Sequence, residues 1–357
     1  MGDENVVALD LFCGSGAVTE GLKAEGFTVL AAVELDHVSC RTYQLNHPEV
    51  HLEPMDIRAV SPAQLRSRTG HQGRIDLLVV CAPCQPFSSQ NRKRAHDDPR
   101  ALLVLESVKF ISEFNPYLVL YENVRGILNT GTMTLLDNQL ADLGYLLAPP
   151  KVIDAADYGV PQRRERCITV AAKERGLAES FYNALELKPR VSVAEAIGSL
   201  TPLAAGERDP DDSLHFARCH QPIVLERLRR IPKDGGSRSS LPEYLELPCH
   251  KERPTDFSDV YGRMKWDDVA PTLTTGCTDL TKGRFAHPRD DRAITLREAA
   301  LLQSFPARYR FFGNHGQIAQ QIGNAVPVKM VRTMARSLIE CIKLARAQER
   351  TTSRAKP

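Results

Sequence analysis

The chain opens with Val6-Val7-Ala8-Leu9-Asp10-Leu11, followed at once by Phe12-Cys13-Gly14-Ser15-Gly16 and an apolar pattern of helical spacing through Leu22. A short apolar run, a Gly-X-Gly turn and then a helix read as the first half of a parallel βαβ unit. A parallel strand needs a helical crossover to reach its neighbour, so this order constrains the fold more than any other feature. Further apolar runs recur at Thr28 to Val33, Ile75 to Val80, Tyr117 to Tyr121 and Arg166 to Ala171. Helical patterns lie at Ala101 to Phe114 and Met133 to Leu143. The alternation predicts an α/β fold with a doubly wound, mostly parallel sheet. In such sheets ligands bind outside the carboxyl ends of the strands.

The glycine turn lacks the third glycine of a dinucleotide fingerprint, because Thr19 stands there. A pyrophosphate on the helix N-terminus is therefore not indicated. S-adenosylmethionine, which carries no phosphate, suits the turn better, as do its glycines Gly14 and Gly16. The second strand ends in Glu34, with Asp36 two residues on. An acid about twenty residues beyond a glycine turn is placed to accept hydrogen bonds from ribose hydroxyls. In Met55-Asp56-Ile57, Asp56 is placed to accept from an adenine amino group and Ile57 to pack on the ring. The plainer reading of Glu34 and Asp56 is that of solvated loop acids.

A second strand-end loop is chemically sharper. Cys81-Ala82-Pro83-Cys84-Gln85-Pro86-Phe87-Ser88 follows the run ending at Val80, and prolines brace Cys84 on both sides. About forty residues later Tyr121-Glu122-Asn123-Val124 closes another strand. A thiol and a carboxyl on neighbouring strand ends can act on one planar base. The thiolate adds to a ring carbon while the carboxyl hydrogen-bonds a ring nitrogen. The alternative is a structural cysteine in a tight turn.

Taken in order along the chain, these segments resemble the C5-specific DNA cytosine methyltransferases of bacterial type. Asp10-Leu11-Phe12-Cys13-Gly14-Ser15-Gly16 resembles the cofactor loop of that family and Pro83-Cys84-Gln85-Pro86-Phe87-Ser88 its nucleophile loop. Glu122-Asn123-Val124 resembles the acid motif, and Tyr158-Gly159-Val160-Pro161-Gln162-Arg163-Arg164-Glu165-Arg166 the arginine motif. Arg297 to Pro306 and Ile322-Gly323-Asn324-Ala325-Val326-Pro327 resemble the last two. The resemblance implies an S-adenosylmethionine-dependent methyltransferase fold. It implies Cys84 as nucleophile, Glu122 as acid, and Arg164 and Arg166 orienting the base and the loop. Asp10, Phe12, Gly14, Gly16, Glu34, Leu35, Asp56, Ile57, Pro83, Asn324 and Val326 would line the cofactor site, with no metal. The implied reaction carries a methyl group from S-adenosylmethionine to C5 of a cytosine flipped out of duplex DNA, leaving S-adenosylhomocysteine. The implied enzyme is a DNA-associated monomer in the cytoplasm. A cognate restriction endonuclease would belong to the same system without forming a stable complex. Cys13, Leu301 and Val328 depart from the commonest family residues at their positions.

The sequence divides by texture. Residues 1–188 carry the strand and helix alternation and are expected to form the catalytic, cofactor-binding domain. From 189 to 315 Pro, Gly and polar residues break the periodicity, as in Pro232-Lys233-Asp234-Gly235-Gly236-Ser237. This segment is expected to form the target-recognition domain and hinge, with a strand at Thr272-Leu273-Thr274-Thr275. Residues 316–347 are expected to return to the first domain, with Val328, Val331, Met334, Leu338 and Ile342 on one helical face. A frayed tail is expected from 348 to 357.

Composition adds limits. Net charge is only +2, so overall charge does not announce nucleic acid. Clusters at Arg92-Lys93-Arg94, Arg163 to Arg166, and Arg227, Arg229, Arg230 and Lys233 are nonetheless suited to phosphates. Nine cysteines without regular spacing suit a reducing compartment rather than a disulfide framework. Cys219-His220 and Cys249-His250 do not match a common zinc spacing. Trp266 reads as a core anchor of the smaller domain rather than a stacking platform. Rival functions fit less well. An RNA-directed cytosine methyltransferase would share the Pro-Cys-Gln loop but carry a Cys-Phe-Thr motif, which is missing here. A non-catalytic DNA-binding regulator on this fold would lack the thiol or the acid. A NAD-dependent oxidoreductase would need the third glycine.

Overall fold

The computed structural model describes residues 5–83, 99–247 and 258–354. Cys84, the Arg92-Lys93-Arg94 cluster, Cys249 and His250 lie outside those residues. The chain forms two compact units. Met1–Asp154, Glu165–Leu187 and Val328–Pro357 make the first, and Ala155–Arg164 with Lys188–Pro327 the second.

The first unit is built on an eight-stranded sheet. Its strands are β1 (Val6–Leu11), β2 (Phe27–Val33), β3 (His51–Glu53), β4 (Leu77–Val80), β5 (Leu118–Asn123), β6 (Leu146–Leu147), β7 (Lys151–Asp154) and β8 (Glu165–Ala172). They run in the order β3-β2-β1-β4-β5-β8-β6, with β7 also paired to β8. Strands β1 to β5 pair in parallel, and β8 runs antiparallel to β5. Central strands read as unbroken apolar runs because both faces are covered. Leu9, Leu11, Leu78 and Val80 accordingly sit in one core with Phe110 and Phe114. The chain steps outward from β1 to β3 and then returns to the other side of β1 with β4. The carboxyl ends of β1 and β4 therefore flank the point where the winding reverses, and ligands bind at such points.

Helices α1 (Ala17–Ala24), α2 (His37–Asn46), α3 (Pro62–Thr69), α4 (Ser107–Phe114), α5 (Thr132–Asp142) and α6 (Leu177–Asn183) belong to this unit. Asp36 caps α2 by accepting from Ser39 N at 2.8 Å, and Ser61 caps α3 with Pro62 in the first turn.

The second unit has little regular structure. It contains α7 (Val193–Ile197), α8 (Pro222–Arg230), α9 (Leu296–Leu302) and α10 (His315–Asn324), joined by loops and isolated β-bridges. Its core gathers Leu228, Ile231, Leu241, Leu245, Val260, Tyr261 and Leu280. Buried arginines take over part of the role that a ladder plays elsewhere. Arg263, 0% exposed, donates to the carbonyls of Leu228 (2.7 Å), His287 (2.9 Å) and Asp290 (2.8 Å) and pairs with Asp291. Arg292 donates to the Leu203 carbonyl at 2.9 Å and grips Glu298 with two bonds of 2.8 Å. Buried carbonyls must find donors, and in loops only side chains supply them.

Helix α11 (Val328–Arg354) returns to the first unit. Val328, Val331, Met334, Leu338 and Ile342 are all buried on it, as their spacing predicts. It lies so close to α1 that a Cβ on Gly21 would come within 2.6 Å of Val331 Cβ. Glu25 clamps Arg332 and Arg336 at 2.6 and 2.7 Å.

Several expectations need correction. The return begins at Val328 rather than 316, and α10 belongs to the second unit. A Cβ on Gly323 would lie 2.3 Å from the Thr274 carbonyl oxygen, so glycine is what lets α10 seat there. Residues 155–164, expected within the 1–188 domain, also fall in the second unit. The tail expected to fray from 348 is helical through Arg354. Glu349 anchors it by accepting from the Tyr117 hydroxyl and pairing with Arg74 at 3.3 Å. Thr272 to Thr275 form no strand. Their hydroxyls bond to backbone instead: Thr272 donates to the Arg163 carbonyl at 2.7 Å, and Thr274 accepts from Gly276 N at 3.3 Å.

Candidate active site

The glycine loop leaves β1 through an unusual backbone. Phe12 (φ 62°), Gly14 (φ 54°) and Gly16 (φ 93°) are all left-handed, and Phe12 is not a glycine. Such a conformation persists only where its surroundings fix it. Cys13 N donates to the Val33 carbonyl at 3.1 Å, and Gly16 N to the Cys13 carbonyl at 2.9 Å. Glu34, at the end of β2, accepts from Gly14 N (2.9 Å), Leu35 N (2.9 Å) and Asp36 N (2.8 Å). Burial raises the Glu34 carboxyl above its ordinary range, and the three backbone donors oppose that only in part. An acid that binds the loop and still has lone pairs to offer suits a ribose.

Asp10 lies beneath the loop, fully buried. Thr19 Oγ1 donates to its Oδ2 at 2.8 Å, while Oδ1 has no hydrogen-bond partner among the described residues. Burial pushes the carboxyl up to about 7, more than the Thr19 hydrogen bond lowers it.

The residues expected at the adenine differ in their surroundings. Asp56 caps a short 3-10 turn and accepts from Arg58 N at 2.9 Å. The Arg58 guanidinium pairs with it at 2.5 Å, and that bond holds the carboxyl down at about 2. Ile57 is buried in the core with Val60 and Leu65. The exposed apolar surface at these strand ends comes from Leu35 (57%) and Met55 (37%). Glu34 N donates to the Glu53 carbonyl, which brings the two strand ends side by side.

Glu122 is buried at the carboxyl end of β5. Arg166 Nε, on the antiparallel neighbour β8, stands 2.8 Å from its Oε1. The N–H is off line, so among the described residues Oε1 has ion pairing without an aligned hydrogen bond. Asn123 Nδ2 donates to the Ala82 carbonyl at 3.4 Å. The end of β5 is thereby tied to the loop that runs through Pro83 toward Cys84. The sequence reading gave Asn123 no role. The amide in its Glu-Asn-Val setting was the available signal.

Arg164 lies two residues before Arg166 but in the second unit. It is buried and donates to the carbonyls of Leu273 (2.9 Å) and Gly323 (2.8 Å). Gln162 donates to Gln303 Oε1 at 2.8 Å and accepts from Leu273 N at 2.9 Å. Gln303 in turn donates to the Ile322 carbonyl at 2.6 Å. The three last motifs thus meet in one polar network. Asn324, at the end of α10, is exposed, and Val326 is buried. Trp266, expected as a core anchor, is half-buried, edge-on to the His287 ring at 5.2 Å, and does not belong to the core that gathers Leu228 and Tyr261. His220 Nε2 accepts from Ala293 N at 3.2 Å.

A doubly wound sheet with a Gly-X-Gly loop at its reversal point, and a buried carboxyl next to Asn123, which binds the Ala82 carbonyl, has the architecture of an S-adenosylmethionine-dependent methyltransferase. The sequence model for the C-5 cytosine-specific DNA methylases matches residues 6–340. The chain belongs to that family, and it is a DNA cytosine-5 methyltransferase. It is 38% identical over 341 residues to the Type II methylase M.HgiDII of Herpetosiphon aurantiacus, across 92% of this chain and 94% of that protein. It is 32% identical to the Type II methyltransferase M.Eco47II of Escherichia coli, across 94% and 79%. Among solved structures, a putative DNA modification methyltransferase encoded within an E. coli prophage shares the fold. Its TM-score is 0.74 at 22% identity, with 95% of this chain and 100% of that one covered. The Dnmt2 methyltransferase of S. pombe also shares the fold, at TM-score 0.64 and 18% identity over 94% and 99%.

Proposed function

We propose that the enzyme uses S-adenosylmethionine and attacks its target base through Cys84, with Glu122 as the partner acid. The observation that carries this reading is Glu122 itself. It is buried, charge-paired with Arg166 yet short of an aligned donor, and one residue from the Asn123 tie to the Cys84 loop. A protonated ring nitrogen would supply that missing donor. The Cys84 thiolate forms a bond to C6 of cytosine, and the electron pair moves toward C5 and N3. As the acid, Glu122 passes its proton to N3 as charge develops there; its carboxylate then accepts the N3–H, and the proton returns to it when Cys84 leaves. S-adenosylmethionine, when bound at the glycine loop, supplies the methyl group that C5 accepts and leaves as S-adenosylhomocysteine. Loss of the C5 proton then expels Cys84 and restores the ring. The residues fit such a group: Thr19 replaces the pyrophosphate-binding glycine, Glu34 would hold the ribose, and Leu35 and Met55 offer apolar surface. A base stacked in a duplex is out of reach, so the cytosine is flipped out first.

We further propose that residues 189–287, in the loop-rich second unit, choose the DNA sequence. The Type II names of the relatives favour a restriction-modification role; we propose that any cognate endonuclease acts separately and that this enzyme works as a monomer. Duplex DNA carrying 5-fluorocytosine at the target should trap a covalent complex, because fluorine cannot leave as a proton does. Cys84→Ala should abolish trapping and turnover while folding normally. Trapping that survives in Cys84→Ala would overturn the assignment.

A further inference from the structure

Four polar side chains that no step above uses, Thr19, Lys23, Tyr43 and His47, converge under the glycine loop. Thr19, Tyr43 and His47 are each 0% exposed. Tyr43 and His47 lie four apart on α2, or at its very end, and so share one face. Their rings meet edge to face at 4.9 Å.

The proton positions follow from the partners. His47 Nε2 is 3.1 Å from the Gly16 carbonyl oxygen, which can only accept, so Nε2 carries the proton. Lys23 Nζ, 3.2 Å from Nδ1, can only donate, so Nδ1 accepts. His47 is therefore a neutral imidazole of one tautomer. Lys23 is in turn paired with Glu49. On the other branch Thr19 donates its single proton to Asp10 Oδ2 at 2.8 Å. The Tyr43 hydroxyl, 2.8 Å away, must then donate to Thr19. Two directed hydrogen-bond chains thus run from α2, one to the Gly16 carbonyl of the loop and one to Asp10 at the end of β1 beneath it.

Burying this many polar groups is unfavourable unless each is matched, and an apolar core would fill the same space at less cost. What the polar set does that an apolar set would not is fix the loop backbone. Gly16, at φ 93°, is where the loop turns into α1, and its carbonyl also accepts from Glu20 N at 2.9 Å. The helix carrying Tyr43 and His47 is rooted at its other end on Asp36, whose N–H donates to Glu34. One helix therefore couples the carboxylate proposed for the ribose to the loop proposed for the rest of the cofactor.

We propose that Tyr43 and His47 are positioning residues for S-adenosylmethionine, holding the glycine loop in its bound shape before the cofactor arrives. The inference rests on the cofactor reading given above. Preorganisation of this kind acts on binding rather than on the chemical step. His47→Leu should raise both the S-adenosylmethionine Kd, measured calorimetrically, and its KM by about tenfold. Its kcat should stay within about threefold and its DNA KM should not change. His47→Gln should recover affinity to within about twofold, because its amide N–H can donate to Gly16 and its carbonyl can accept from Lys23. Tyr43→Phe should weaken binding about threefold. If His47→Leu does not fold, Tyr43→Phe and His47→Gln decide: unchanged affinity in Tyr43→Phe, or tenfold loss in His47→Gln, overturns the proposal. So does wild-type affinity in folded His47→Leu. If the wild-type enzyme itself binds no S-adenosylmethionine, the cofactor reading falls first. If it binds and His47→Leu binds equally well, only the present inference falls.

Discussion

The two units solve the same problem in opposite ways. In the first, a sheet pairs most backbone groups with one another, and the side chains at its strand ends are left for chemistry: Asp10, Glu34 and Glu122. In the second, loops leave carbonyls without ladder partners, and Arg164, Arg263, Arg292, Gln162 and Gln303 bind them from inside. A buried arginine in the first case would suggest a ligand. In the second it is mainly a fastener. Charge and burial alone therefore do not distinguish a functional group from a structural one; the identity of the partner does.

The largest expected effect breaks a fastener. Arg263→Met removes donors from several buried carbonyls and leaves Asp291 with Lys233 alone, and should destabilise the second unit by about 3–5 kcal/mol. Trp266, the only tryptophan in the sequence, lies in that unit, so its fluorescence follows it selectively in urea. The fluorescence midpoint should fall well ahead of the circular-dichroism midpoint. Equal shifts in both signals would mean that the units do not differ in the way described. Leu9→Ala reverses the comparison. It opens a cavity in the core of the sheet and should lower stability by about 2–4 kcal/mol, with the fluorescence midpoint moving less.

Acidity sharpens the contrast because two buried acids are shifted in opposite senses. Burial works to raise Glu298, but the hydrogen bonds and charge of Arg292 outweigh it and hold the carboxyl below its ordinary 4.5. Its contribution is complete above that value and is lost as pH falls through the folded pKa. Asp10 is the reverse, ordinarily near 3.8 but about 7 when folded. Its contribution is full below about 3.8 and is lost as pH rises through about 7. Fluorescence midpoints should drop between pH 5 and 3, and Glu298→Gln should flatten that drop. Asp10→Asn should flatten a decline of the dichroism midpoint between about pH 4 and 7. A slope unchanged by either substitution would refute the corresponding assignment. The smallest effect is Thr272→Val, which removes one hydrogen bond to the Arg163 carbonyl. It should lower the fluorescence midpoint by the equivalent of about 1 kcal/mol.

Much of the first unit was legible in the sequence because apolar runs stopped by glycine or proline report strand ends directly. Val6 to Gly16 shows this, and so do Glu34 and Glu122, each standing where its strand stops. The second unit was less legible. Thr272 to Thr275 alternate like a strand, yet their neighbours supply no ladder, and only three-dimensional partners decide that. Arg164 and Arg166 look alike in sequence, but one binds carbonyls and the other faces an acid, because the chain passes from one unit to the other between them. Tyr43 and His47 gave no sequence signal, since a tyrosine and a histidine on a helix are ordinary until the glycine loop lies against them.

The contact between Gly21 and Val331 has a consequence for synthesis. Helix α1 emerges from the ribosome early, but the helix that covers it begins at Val328 and pairs Arg332 with Glu25 across 307 residues. During all that translation the Gly21 face of α1 has no permanent cover. The second unit must be made, and can fold, before the first is closed. A nascent chain that stalls inside the second unit would carry both the glycine loop and Glu122 without a finished fold around them. Arrested chains ending before Val328 should be cut by protease near α1, and chains extended past Arg354 should resist.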